Sequence, residues 1–225
     1  MGIYVIMIVF FVISFLVGQQ LRSKFAKYSR VSLAKGLSGK EVAELMLSNN
    51  GITDVRVISV DGQLTDHYNP TDKTVNLSPD VYNGRSVAAA AVAAHECGHA
   101  IQHAKSYAFL QMRSSLVPVV SVASRYVQWV LLAGVILLQT FPAILLIGVV
   151  MLALTTLFSF ITLPVEFDAS RRALAWLNST GLTYGESAEN ARDALKWAAL
   201  TYVVAALGSL ATLLYYLGFL NGNDD

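Results

Sequence analysis

Three long apolar segments interrupt this chain and restrict its fold more than any other feature. The first, MGIYVIMIVFFVISFLVGQQL, covers residues 1–21 and contains no charged side chain. The second extends from Val117 to Leu163 with Arg125 as its single charge, and the third extends from Trp197 to Phe219 with none. A helix needs ~20 apolar residues to cross a bilayer. The first and third segments therefore each predict one membrane-spanning helix.

The second segment is long enough for two such helices. The stretch LLQTFPAI interrupts it with Gln139, Thr140 and Pro142, which predicts helices over about 117–139 and 142–163 joined by a tight turn. The total is four transmembrane helices, with the lipid bilayer as a partner. The mean hydropathy of +0.53 agrees with a membrane protein. The net charge of +1 gives no reason to expect a nucleic-acid partner.

A signal peptide is the alternative interpretation of residues 1–21. A signal peptide has a basic start and a small-residue cleavage site. Here no Lys or Arg precedes the apolar run, and VGQQLRSKF is a poor cleavage site. We therefore expect a retained membrane anchor. The lone cysteine, Cys97, cannot form an internal disulfide, so the sequence gives no sign of an oxidising compartment.

Residues 22–116 have the composition of a small α+β domain. Ser38 with Glu41 forms the sequence of a capping box, and Gly51 is a plausible stop for the helix between them. The stretch DVRVISVDGQLTDHYNPTDKTVNLS predicts two or three short strands, the last at KTVNLS. That last strand is predicted to be an edge that pairs with an extended substrate. A long alanine-rich helix should begin near Ser86.

The basic residues predict the orientation in the membrane. No basic side chain precedes the first apolar segment, and several follow it, whereas the tail NGNDD is acidic. By the positive-inside rule, both termini lie outside and the domain lies on the cytoplasmic side of the cell membrane. The basic residues that carry this argument are Arg22, Lys24, Lys27, Arg30, Lys35, Lys40, Arg171, Arg172, Arg192 and Lys196.

The motif HECGH, residues 95–99, is the strongest chemical signal in the chain. On a helix, His95 and His99 lie one turn apart on one face and can share a metal ion. Glu96 projects to the side, where it can act as a general base on a water molecule. Zinc lowers the pKa of such a water toward ~7. The alternative is a pair of solvated histidines on a surface helix. Gly98, which weakens the helix, indicates that packing or access to the site requires a glycine there.

A catalytic zinc needs a third protein ligand and one open position. His103 lies about 12 Å beyond His95 on a continuous helix, so it is expected to support the site from its edge. His67 is placed to reach the metal or a substrate from a loop, or to be structural. Glu166 is the better candidate, because the hairpin 117–163 returns it to the side of the histidines. It is expected to open a helix; a solvated acid is the alternative.

Four further residues near the motif and Glu166 have weaker interpretations. Asp168 is a candidate to orient a ligand histidine. Arg171 and Arg172 either stabilise an oxyanion on the substrate or mark the membrane surface. Cys97 lies on another helix face from the histidines and is expected to be a small buried residue.

The segments AAHECGHAIQHAKSY and LPVEFDASRRALAWL, with the apolar segments around them, resemble the bacterial neutral zinc metallopeptidases of the YugP-like family. The likeness covers nearly the whole chain. More distantly, the layout is similar to the membrane heat-shock protease HtpX and to the CAAX prenyl proteases. In that wider group an Asp follows the ligand Glu by four, and here Ser170 holds that position. The resemblance implies a protease but does not supply a substrate.

We therefore expect a mainly α membrane protein with a small α+β, zincin-like cytoplasmic domain. Its expected function is that of a zinc endopeptidase of the gluzincin type with one Zn²⁺, acting on peptides or membrane proteins. The alternative is a non-proteolytic zinc-binding scaffold; a metal transporter is disfavoured because the membrane segments carry no His, Asp or Glu. The expected parts are helix 1 (1–21), the zincin-like domain (22–116), the hairpin (117–163), a segment with the third ligand (164–196), helix 4 (197–220) and a tail (221–225).

Overall fold

The computed structural model describes residues 2–221 and is mostly helical. Of the expected tail, residues 222–225 lie outside the described residues. The elements in chain order are α1 (Gly2–Tyr28), α2 (Gly39–Asn49), β1 (Arg56–Ser59), β2 (His67–Asn69), β3 (Thr74–Leu77), α3 (Pro79–Tyr82), α4 (Val87–Ala104), α5 (Ala108–Ile136), α6 (Pro142–Ser179) and α7 (Glu186–Asn221).

Four of these helices, α1, α5, α6 and α7, are long and apolar enough to cross a membrane. The number of candidate spans agrees with the four that the sequence predicts. Large apolar side chains on them are exposed, among them Phe11 at 73%, Trp129 at 68% and Ile136 at 71%. Such exposure is unfavourable in water and favourable in a bilayer, so it agrees with helices that contact lipid.

The helices do not end where the apolar composition ends. Helix α1 continues beyond residue 21 to Tyr28, because the Arg and Lys residues that follow the apolar run are good helix formers. Helix α6 continues through Pro164 to Ser179. The expectation that Glu166 opens a new helix is therefore wrong, and Glu166 lies inside α6. A long apolar helix tolerates an internal proline because neighbouring helices compensate for the lost hydrogen bond.

One compact unit contains residues 2–16, 111–163 and 201–221 of the described chain. The hairpin of α5 and α6 is closely packed inside it, because a β-carbon on Gly134 would lie 2.5 Å from the Leu145 Cα atom. Glycine at this position lets the two helix backbones approach, as small residues commonly do in membrane helices. A hydrogen bond of 2.6 Å between the Thr156 and Ser209 hydroxyls links α6 to α7.

The second unit contains residues 17–110 and 164–200, and its core surrounds α4. Helix α2 begins with the predicted capping box, in which the Ser38 amide donates to Glu41 Oε2 at 2.7 Å and the Glu41 amide donates to Ser38 Oγ at 3.3 Å. Gly51 follows the end of this helix with φ of 71°, a conformation that glycine adopts without strain. The buried side chains of this core include Val42, Met46, Leu77, Val81, Ala93, Ala94, Ala173, Leu177 and Leu195.

The second unit also contains a three-stranded sheet in the order β1-β3-β2. Strand β3 pairs with β1 in parallel and with β2 antiparallel. The predicted position of the last strand is confirmed, but the prediction that it is an edge is wrong. All of its residues from Thr74 to Leu77 are buried, which a central strand achieves by pairing on both sides.

Candidate metal centre

Helix α4 fixes the positions of both motif histidines. Its N-cap Ser86 accepts a hydrogen bond from the Ala89 amide, and the helix continues without a break to Ala104. His95 and His99 therefore lie one turn apart on the same side, with ring centroids 4.8 Å apart and ring planes at 83°. The uninterrupted helix also agrees with the argument that His103 is too far along it to join the pair.

Gly98 marks the point of closest approach between α4 and α6. A β-carbon at this position would lie 2.7 Å from the carbonyl oxygen of Ala169 and 3.0 Å from its Cα atom. The packing reason expected for this glycine is therefore a backbone-to-backbone contact. Gly98 lies between the two histidines in the sequence of α4, and Ala169 follows Glu166 by three residues on α6, so this close approach brings the three side chains within reach of one another.

We expect Gly98→Ala to destabilise the fold by about 1–3 kcal/mol, the typical cost of overpacking. The change would gain ~1 kcal/mol of helix propensity if space were available. Because the new methyl group meets backbone atoms, α4 and α6 must separate, and zinc content should fall with stability. Thermal unfolding in detergent and zinc analysis would measure both effects. The control is Gly218→Ala in α7, where a β-carbon meets nothing within 4 Å. Wild-type stability and zinc content in Gly98→Ala would contradict this account.

Three side chains converge on one point in the second unit. The Nε2 atoms of His95 and His99 lie 3.3 Å and 3.6 Å from Glu166 Oε2. One potential ligand atom from each residue lies within 4.8 Å of the others, so the group could hold a metal ion. The side chains are nearly buried, with 13%, 11% and 3% of their surfaces exposed for His95, His99 and Glu166. Among residues 2–221, no fourth His, Cys, Asp or Glu joins this group.

This donor set fits zinc. Two imidazole nitrogens and one carboxylate oxygen are ligands typical of catalytic zinc sites. Tetrahedral bonds of ~2.0–2.1 Å separate neighbouring ligand atoms by about 3.3 Å. The separations of 3.3 Å and 3.6 Å between nitrogen and oxygen are near that value, and all three ligand atoms lie within 4.8 Å of one another.

The other ring nitrogen of each histidine contacts a side-chain oxygen. His99 Nδ1 lies 3.0 Å from Gln102 Oε1, and His95 Nδ1 lies 3.1 Å from Ser170 Oγ. Metal-binding histidines commonly have such partners, which set the orientation of the ring. Gln102 is not among the site residues predicted from the sequence, although its position three residues after His99 on the same helix face was a signal. Ser170 was noted only as a departure from the wider group.

Asp168 reaches His99 only through Gln102. Its Oδ2 atom accepts a hydrogen bond of 3.0 Å from Gln102 Nε2 and one of 2.5 Å from Arg172 Nε. Arg171 forms a second ion pair with the same carboxylate. Arg172 is therefore paired with Asp168, and Asp168 is connected to His99 through the Gln102 amide.

Burial by itself lowers the pKa of His99, but its contact with the Glu166 carboxylate and the nearby charge of Glu96 outweigh the effect of burial. The pKa of His99 is therefore raised above its usual value. The site therefore favours a bound cation, either a proton or a metal ion.

Glu96 is 8% exposed, and within residues 2–221 its carboxylate forms no hydrogen bond or ion pair with another side chain. Within residues 2–221, the Glu96 carboxylate is therefore not held in place by a hydrogen bond or ion pair with another side chain.

Two candidate histidines lie away from this group. The Nδ1 atom of His103 lies 2.8 Å from the Tyr68 hydroxyl, and that of His67 lies 2.7 Å from the Thr65 carbonyl oxygen. Cys97 is fully buried, and its thiol donates to the Ala43 carbonyl oxygen at 3.5 Å. Burial raises the pKa of the Cys97 thiol, which keeps it protonated and unreactive.

The fold and this group define a class: a four-span membrane protein that could hold a metal ion on two histidines and a glutamate. Comparison with known sequences is more specific. Residues 3–221 match the family described as "Putative neutral zinc metallopeptidase", and the chain belongs to this family. The chain is also 42% identical over 214 residues to "Putative membrane protease YugP" of Bacillus subtilis (strain 168), which covers 95% of this chain and 94% of that protein. No solved structure matches the chain.

Proposed function

We propose that this protein is a membrane-embedded zinc endopeptidase that hydrolyses peptide bonds with Glu96 as its general base. The observation that carries the proposal is the convergence of His95, His99 and Glu166 beside an uncommitted, buried Glu96. Membership of a zinc metallopeptidase family supports the same conclusion. The substrates are peptides or membrane proteins, a choice supported by the four apolar helices and by the protease-named relative.

His95, His99 and Glu166 are the proposed ligands of one zinc ion. Three protein ligands leave one of four tetrahedral positions open, which is the arrangement of catalytic zinc sites. A structural site is closed by a fourth protein ligand, and no such residue joins the group within residues 2–221. This difference favours an enzyme over a non-proteolytic zinc-binding scaffold.

The proposed chemistry assigns one proton transfer pathway to Glu96. When bound, zinc supplies a Lewis acid that polarises the scissile carbonyl and lowers the pKa of water. The Glu96 carboxylate removes a proton from the attacking water as its oxygen bonds to the carbonyl carbon. Glu96 then returns that proton to the amine nitrogen as the carbon–nitrogen bond breaks. The acid therefore begins and ends the reaction ionised, and no redox step is involved.

The zincin-like character of the domain and its cytoplasmic position are also proposals. A motif helix that packs against a small sheet supports the first, since α4 contacts both β2 and β3. The basic residues that follow the first apolar segment support the second. Because β3 is central, an extended substrate would pair with β1 or β2, the two strands whose outer edges are unpaired in the sheet within residues 2–221.

Removal of the metal should abolish hydrolysis, and its return should restore it. We would incubate the purified protein, in detergent, with a fluorogenic peptide library and an unfolded membrane protein. Chelation followed by desalting should eliminate cleavage, and stoichiometric zinc should recover most of it, because zinc held by His95, His99 and Glu166 would supply the Lewis acid for the reaction. Mass spectrometry would measure zinc in the same samples. Full activity in protein shown to be free of metal would contradict the proposal.

The orientation has its own test. A cleavable tag placed after Asp225 should be accessible from outside intact cells, while a tag in the 22–116 domain should be protected. The physical reason is the excess of Arg and Lys that follows the first apolar segment. A protected tag after Asp225 in sealed cells, exposed only after lysis, would reverse the orientation and leave the metal site unaffected.

A further inference from the structure

Gln102 is a fully buried polar side chain whose two amide ends are both occupied. It is 0% exposed. Its Nε2 atom donates to the Val165 carbonyl oxygen at 2.8 Å and to Asp168 Oδ2 at 3.0 Å. Its Oε1 atom lies 3.0 Å from His99 Nδ1. A buried amide can exchange the positions of its oxygen and nitrogen by a flip. With these partners, only one of the two orientations satisfies the hydrogen bonds.

The partners on α6 fix that orientation. A backbone carbonyl accepts hydrogen bonds only, and so does a carboxylate that is paired with two arginines, as Asp168 is. A flipped amide would bring its oxygen against both of these acceptor atoms, and it could form a hydrogen bond with neither of them. The Oε1 atom must therefore face His99, which means that Nδ1 of His99 carries a hydrogen.

With a hydrogen on Nδ1 of His99, the nitrogen left to bind a metal is Nε2, the atom that faces Glu166. We infer that Gln102 is a positioning residue that holds His99 with Nε2 available to the metal and locks α4 to α6 beside Glu166. This inference rests on the proposed metal site, but it does not require that the protein be a protease.

His95 provides a matched comparison on the same helix. Its Nδ1 atom contacts the Ser170 hydroxyl, which can donate or accept a hydrogen bond. A hydroxyl therefore imposes no particular tautomer on the ring, whereas the Gln102 amide does. The two contacts have similar lengths, 3.0 Å and 3.1 Å, but only the contact with Gln102 determines which ring nitrogen carries the hydrogen.

The test measures zinc affinity rather than activity. Gln102→Met keeps the approximate size and removes both hydrogen-bonding ends, Gln102→Glu keeps an acceptor toward His99, and Ser170→Ala is the control. Zinc dissociation constants would be obtained in detergent by competition with a chromophoric chelator. Circular dichroism and thermal unfolding of the metal-free proteins would show whether each variant is folded.

We expect the affinity of Gln102→Met for zinc to fall about 10–100-fold, the usual effect of removing a partner of a ligand histidine. Gln102→Glu should lie between that variant and the wild type, and Ser170→Ala should lose less than Gln102→Met. A folded Gln102→Met protein with wild-type affinity would overturn the inference and leave a purely structural role. An equal loss in Ser170→Ala would overturn it as well, because no tautomer is fixed there.

A second measurement needs no variant. In the zinc-loaded wild type, long-range ¹⁵N–¹H spectra of labelled histidines should show His99 with zinc on Nε2 and hydrogen on Nδ1. Zinc on Nδ1 of His99 would overturn the inference even if Gln102→Met fails to fold. A wild-type protein that binds no zinc contradicts this inference and the proposed function together. Zinc binding without peptidase activity contradicts the proposed function alone.

Discussion

Glu96→Gln is expected to retain zinc and to lower peptide hydrolysis by at least ~10²–10⁴-fold, the usual contribution of general acid–base catalysis. Glutamine keeps the shape of the side chain and can still hydrogen-bond a water molecule. It cannot take a proton from that water at neutral pH. Because His95, His99 and Glu166 are the proposed ligands, the metal should be unaffected. Turnover and zinc content would be measured in the same samples.

If the protein is a non-proteolytic zinc-binding scaffold, a different result is expected for this variant. If no proton is moved, Glu96→Gln should leave every measurable function intact. His103→Gln is a suitable control, because His103 lies on the same helix and contacts Tyr68 rather than the proposed ligands. Full hydrolysis in zinc-replete Glu96→Gln protein would eliminate Glu96 as the base. A wild type inactive on all substrates would favour the scaffold.

The second large effect concerns the metal itself. His95→Ala, His99→Ala and Glu166→Ala should each leave little zinc after purification, because two remaining ligands do not make a stable site. Each change should cost more affinity than the ~10–100-fold loss typical of residues that support a ligand. His103→Ala should retain nearly all of the zinc. Elemental analysis of protein purified without added metal would measure the difference.

Removal of a ligand must be separated from loss of fold. Glu166→Gln is the conservative companion of Glu166→Ala, because it preserves volume inside α6 and removes only the charge. Circular dichroism of both variants should match that of the wild type. If His103→Ala empties the site while Glu166→Ala leaves it full, then the third ligand has been assigned to the wrong residue.

The sequence by itself determined the features that depend on neighbouring residues. Long apolar segments predicted the four candidate spans, because that prediction depends only on length and apolar composition. The spacing of Ser38 and Glu41 predicted the capping box, whose bonds join residues three apart. The spacing of His95 and His99 predicted two imidazoles on one side of α4 for the same reason.

The tertiary structure decided which distant groups these local elements meet. Glu166 was selected by a topological argument, but its position inside a helix that continues to Ser179 was missed, because the helix was expected to end with the apolar segment at Leu163. The central position of β3 depends on pairing with β1 as well as β2, which sequence alternation does not encode. The partnership of Gln102 with His99, Val165 and Asp168 exists only because α4 and α6 touch at Gly98. Local spacing places side chains on a face, and only the packing of helices determines what that face contacts.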